Sequence, residues 1–166
     1  MRGFSLVELL VAVGITSILV ASGVPAFRSY QRTVAFEGAV NQVAELFHSA
    51  RTLAVSPDVA KQTTTVAYGV QGESVVGGVK FVLREMESGS GTTFVDGRVV
   101  REYVVPTSVA SVTGAAEGLP AILYPIEQRG ASTVSAVLTF TDSRGIRRIV
   151  TIAAPTGQVS VTRDSQ

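Results

Sequence analysis

Apolar positions change their spacing twice along the chain. From Phe4 to Val24 they are almost continuous, "FSLVELLVAVGITSILVASGV", and Glu8 is the sole formal charge. About 20 apolar residues suffice for an α-helix to cross the hydrocarbon core of a bilayer, so the run predicts a retained membrane helix. A cleaved secretory signal would have a shorter apolar core ending in a small-residue site, and no obvious A-x-A exit is present here. Past Pro25, which removes a backbone donor and predicts a kink, the pattern becomes amphipathic. Phe36, Val40, Val43, Phe47, Ala50 and Ala54 recur at steps of four and three and define one helical stripe, with Glu37, Asn41, Glu45, His48 and Thr52 largely off it. Ser56-Pro57-Asp58 ends the helix, because the residue before proline is biased out of the α region.

From residue 63 the spacing is that of strands. Seven segments, "TTTVAYGV", "VVGGVKFVLREM", "RVVREYVVP", "AILYPI", "VSAVLTFT", "IRRIVTIA" and "QVSVT", are rich in β-branched and aromatic residues. "TDSRG" reads as a hairpin turn, and "QGESVVGG", "ESGSGTT" and "SVTGAAEGLP" read as polar or Gly-rich connections. The expected fold is α+β: a long N-terminal helix, membrane-spanning in its first half, packed on a β-rich C-terminal head of two antiparallel sheets. The expected divisions are 4–27 for the membrane helix, 28–56 for its amphipathic continuation and 57–166 for the head.

Composition narrows the function. A formal net charge of +1 gives no global pull toward nucleic acid, so such a partner would need local clustering. Cysteine is absent, which excludes disulfides, thiolate metal sites and cysteine nucleophiles. The single histidine, His48, lies on the polar side of its helix and reads as solvated, and no metal or other cofactor is expected. The chain has no HExxH, G-x-S-x-G or P-loop motif, and Glu85 and Glu87, two apart beside Lys80 and Arg84, read as surface ion-pair partners. No enzyme is expected and no catalytic residue is assigned.

Glu8 is costly where it stands. A carboxylate within a membrane helix costs on the order of 2.5–3.5 kcal/mol when central. No Lys, Arg or His lies between Phe4 and Phe27 to pair with it. It either snorkels toward the headgroups or meets a partner on another molecule. Arg2 precedes the run and Arg28 and Arg32 follow it, so positive-inside counting does not fix the orientation.

The string "GFSLVELLVAVGI" resembles the N-terminal signature of type IV pilins and the pseudopilins of type II secretion. The resemblance implies cleavage between Gly3 and Phe4 by a prepilin peptidase, loss of the leader 1–3 and N-methylation of Phe4. It also implies that Glu8 meets the amine of a neighbouring subunit during assembly, and that Pro25 is the helix proline common in the family. Implied partners are other pilins or pseudopilins, the peptidase, the inner-membrane assembly platform and the lipid membrane. The implied location is a single-pass inner-membrane protein with its head in the periplasm or outside, and then a filament.

"LTFTDSRGIRRIVTIAAPTGQVSVT" and "ARTLAVS" further resemble the GspH/FimT-like group of minor subunits, which implies a place near the tip of a pseudopilus or pilus. Within that group, binding of DNA for uptake is an alternative role, and adhesion by head loops a weaker one. Arg129, Arg144, Arg147, Arg148 and Arg163 face only Asp142 and Asp164 from residue 129 on. Arg144, Arg147, Arg148 and Arg163 are the candidate phosphate contacts. At the last hairpin, where DNA-binding members carry arginines, this chain reads Gly157-Gln158-Val159-Ser160.

Overall fold

A computed structural model of the chain describes residues 5–57, 64–76, 78–88, 94–114 and 122–164. One helix, α1 (Leu6–Val55), opens it and is unbroken at Pro25. It stops where Ser56-Pro57 was expected to stop it, and the Ser56 N–H donates to the Thr52 carbonyl at 2.9 Å. The chain divides into two compact units, residues 1–35 and 36–166.

In the first unit, every described residue except the half-buried Thr33 is exposed, including Leu6, Leu9, Ile18 and Leu19. The hydroxyls of Thr16, Ser17 and Ser22 in this apolar run are satisfied by their own helix. Thr16 donates to the Ala12 carbonyl at 2.7 Å and Ser17 to that of Val13 at 2.8 Å. Hydroxyls bonded in this way need no water, which suits a surface facing hydrocarbon.

The second unit holds the core. Among the described residues eight strands follow α1: β1 (Thr65–Val75), β2 (Gly78–Ser88), β3 (Phe94–Val104), β4 (Val109–Thr113), β5 (Ile122–Pro125), β6 (Ala136–Asp142), β7 (Arg147–Ala153) and β8 (Gln158–Arg163). They form two four-stranded sheets, β3-β2-β1-β5 and β4-β6-β7-β8, and every pairing is antiparallel. The α+β fold with two antiparallel sheets is therefore observed.

The whole predicted stripe of α1, Phe36 through Ala54, is buried, joined by Ala39, Ala44 and Leu46. It packs into one cluster with Tyr68, Phe81 and Leu83 of the first sheet and Leu138, Phe140 and Ile152 of the second. Phe81 sits at the junction, with ring centroids 6.4 Å from Phe47 of the helix and 6.2 Å from Phe140 of the other sheet. The helix and both sheets thus share one core.

Three connections differ from expectation. β4 lies partly inside the stretch read as "SVTGAAEGLP", because its five residues bury only Val109 and Val112 and dilute the strand signal with Ala and Ser. "QGESVVGG" is largely strand: β1 runs to Val75 and β2 starts at Gly78, with Glu73 and Lys80 directly opposed and paired at 3.0 Å. Polar residues there mark a hairpin projecting into water rather than a loop. β3 begins at Phe94, ahead of the expected Arg98, while most of "ESGSGTT" (89–93) lies outside the described residues.

The last hairpin needs its glycine. Gly157 has φ +65°, and a Cβ there would meet the Gly130 carbonyl oxygen at 2.3 Å. Two turns approach backbone to backbone beside Tyr124, whose buried hydroxyl is pushed well above the ordinary phenol range by loss of solvent.

Candidate functional site

Gly3 and Phe4 lie outside the described residues. Glu8 is placed in the first turn of α1, where its Oε2 accepts the Ser5 backbone N–H at 3.3 Å. With Ser5 just before the helix and Glu8 three positions on, this is half of a capping box, and a carboxylate at that end also complements the helix dipole. The spacing S-x-x-E was legible in the sequence. Glu8 therefore has a local acceptor role as well as a charge in an apolar run, and its Oε1 has no partner among the described residues.

The arginines of the head's basic end are mostly committed to carboxylates. Arg148 is 5 % exposed, not a solvated strand residue. Its Nε donates to Glu37 Oε2 at 3.1 Å, its Nη2 to Glu37 Oε1, and its Nη1 to the Arg147 carbonyl at 3.2 Å. This fork ties α1 to β7 across 111 positions of sequence, so no local spacing could reveal the partner. The inward direction was legible, since Arg148 shares the parity of Val150 and Ile152, the buried positions of β7.

Arg147 approaches Asp164 at 3.7 Å, and Arg163 is exposed opposite Arg148 in the β7–β8 register. Arg129 occupies the turn after β5 with φ +49°, away from the hairpin pairings of β6–β8. The structure brings Arg147, Arg148 and Arg163 together on adjacent strands. It does not leave them all free for phosphate.

Arg144 belongs to the turn itself. Asp142 Oδ1 accepts the N–H groups of Arg144 and Ile146 at 2.8 and 2.9 Å, while Oδ2 accepts Arg144 Nε at 2.9 Å. Burial alone would raise the Asp142 carboxyl, but the bonds from Ile146 and Arg144 outweigh it and hold the group below its ordinary 3.8. A depressed carboxylate stabilises the fold above its unfolded value, and the contribution is lost as pH falls through the folded value. Asp142→Asn should therefore lower the melting temperature at neutral pH and shrink the further loss on acidification below about pH 4. Thermal unfolding in detergent at both pH values checks this; an unchanged acid dependence would remove Asp142 as its source.

Glu85 is buried, at 9 % exposure, and on the neighbouring strand Glu73 meets Arg84 at 2.8 Å as well as Lys80. His48 is exposed, as expected, and no cluster of three metal-ligating side chains occurs among the described residues.

The model of the prokaryotic N-terminal methylation motif matches residues 1–24. No curated protein and no solved structure matches the chain. The motif supports a type IV pilin-like protein, a structural subunit rather than an enzyme, and implies processing by prepilin peptidase and assembly with other pilins. An apolar helix near the N-terminus is consistent with a single-pass membrane anchor.

Proposed function

We propose that the chain is cleaved between Gly3 and Phe4, methylated at Phe4, and assembled through the first half of α1 as a minor subunit of a type II secretion pseudopilus or type IV pilus, near the tip. The match over residues 1–24 carries this reading. Its support is the sequence order Gly3, Phe4, Glu8 and the apolar helix that follows, exposed over residues 5–24. The meander β6–β8, with its Gly157 turn, supports the GspH/FimT-like assignment. Residues 57–166 form the extracytoplasmic head.

Mass spectrometry of the membrane-extracted protein is the direct test. The N-terminal peptide should begin at Phe4 and carry the mass of one added methyl group; an N-terminus still at Met1 in an assembled filament would overturn the reading. The particular machine follows from a deletion strain assayed for exoprotein release and for uptake of labelled DNA. Loss of release with retained uptake identifies a secretion pseudopilus, and the converse a competence pilus.

A further inference from the structure

The first sheet ends on an open edge beside a groove. β3 is its outermost strand, so one side of its backbone has no strand neighbour among the described residues. Four of its valines, Val95, Val99, Val100 and Val104, are 41 to 55 % exposed. Alongside them, His48, Thr52 and Leu53 of α1 face Leu83, Val100 and Arg101 across an open groove of about 440 Å³. A helix running beside an open sheet edge is the arrangement by which extended peptides are bound as an added strand.

The charges point to the chemistry of the occupant. The ionisable side chains lining the groove are His48 and Arg101, and no carboxylate lines it. Arg101 pairs with Glu45 at 3.1 Å, but both are more than half exposed, and water screens such a pair, so an incoming carboxylate can exchange with it. Arg98 adds an exposed cation further along the strand. Glu102, an exposed acid beside Arg101, is turned to Lys80 at 3.7 Å.

The register decides how long that occupant is. β3 slips against β2 between Leu83 and Arg84 and again before Met86, and such bulges bend an edge away from long pairing with another sheet. Arg101–Val104 stays in regular register with Lys80–Leu83. A short extended segment fits there; the full edge of a second copy does not.

We propose that the groove between α1 and β3 docks a short extended segment of a partner protein, added as a strand along Arg101–Val104. An apolar side chain of that segment rests on Leu53, Leu83 and Val100, and a carboxylate two positions away, on the same face of the added strand, meets Arg101 and His48. This stands independently of the filament role.

The test pans a random-peptide phage library against the detergent-solubilised full chain. Enriched sequences should share an apolar residue with Asp or Glu two positions away. A synthetic peptide of that consensus, followed by fluorescence anisotropy, should bind Val100→Lys and Arg101→Glu at least about tenfold more weakly. Val137→Lys, which changes a similarly exposed valine on the other sheet, should bind as the unaltered protein does. All three changes are at exposed side chains, and a circular dichroism melt verifies each fold. Absence of a consensus, or a consensus peptide that binds all four proteins equally, overturns the proposal.

Discussion

Glu37→Ala should destabilise the head by about 3 kcal/mol, seen as a lower unfolding midpoint in detergent. Removing one member of a buried ion pair leaves the other charge without compensation, and Arg148 would keep only the Arg147 carbonyl in place of the Glu37 fork. Arg163 stands opposite it on β8, so an uncompensated Arg148 would also face a like charge across the strands. The loss falls at the low end of the range for buried pairs because the Glu37 side chain is 35 % exposed, so water reaches the vacated site. Glu37→Met combined with Arg148→Leu should recover most of the loss, since an apolar pair of similar volume replaces a buried ion pair at little cost. If Glu37→Ala alone leaves the midpoint unchanged, the pair contributes nothing and Arg148 is available to other ligands.

The larger functional effect belongs to Glu8→Ala. The variant should be inserted and processed at normal levels but fall about tenfold or more in the filament fraction, measured by immunoblot of sheared filaments against membranes. Two causes compete, because the carboxylate both accepts the Ser5 N–H and carries a charge into an apolar setting. Glu8→Gln separates them. The amide oxygen keeps the capping acceptor, worth roughly 1 kcal/mol, while the charge is gone. Loss in both variants assigns the effect to the charge and its intermolecular partner; rescue by Gln assigns it to the cap and ends the pairing idea. Normal incorporation of Glu8→Ala would remove Glu8 from assembly altogether.

What the sequence revealed followed physical range. The stripe Phe36 to Ala54 was legible because helix period and burial coincide over five turns, and Ser56-Pro57 marked its end by a local steric rule. The Asp142–Ile146 turn was equally local. β4 was hidden because a five-residue edge strand with two buried valines has too few positions to establish a period. The β1–β2 hairpin outruns its hydrophobic signal because Glu73 and Lys80 are polar for pairing with each other, a cross-strand fact that one strand cannot display. Glu37 and Arg148 were legible only in part: parity turned Arg148 inward, but its partner lies in another element. The groove beside β3 was illegible, since it joins residues of α1 to residues of β2 and β3 that have no common spacing.

That long separation also sets a clock. Glu37 leaves the ribosome 111 residues before Arg148, which at about 5–20 residues per second is roughly 6–22 s of synthesis. Throughout that interval the apolar stripe of α1 exists without the second sheet that completes its cover. A nascent chain of this design needs a holding surface for seconds, a chaperone or the bilayer interface itself, and its yield should respond to translation speed as much as to the stability of the finished head.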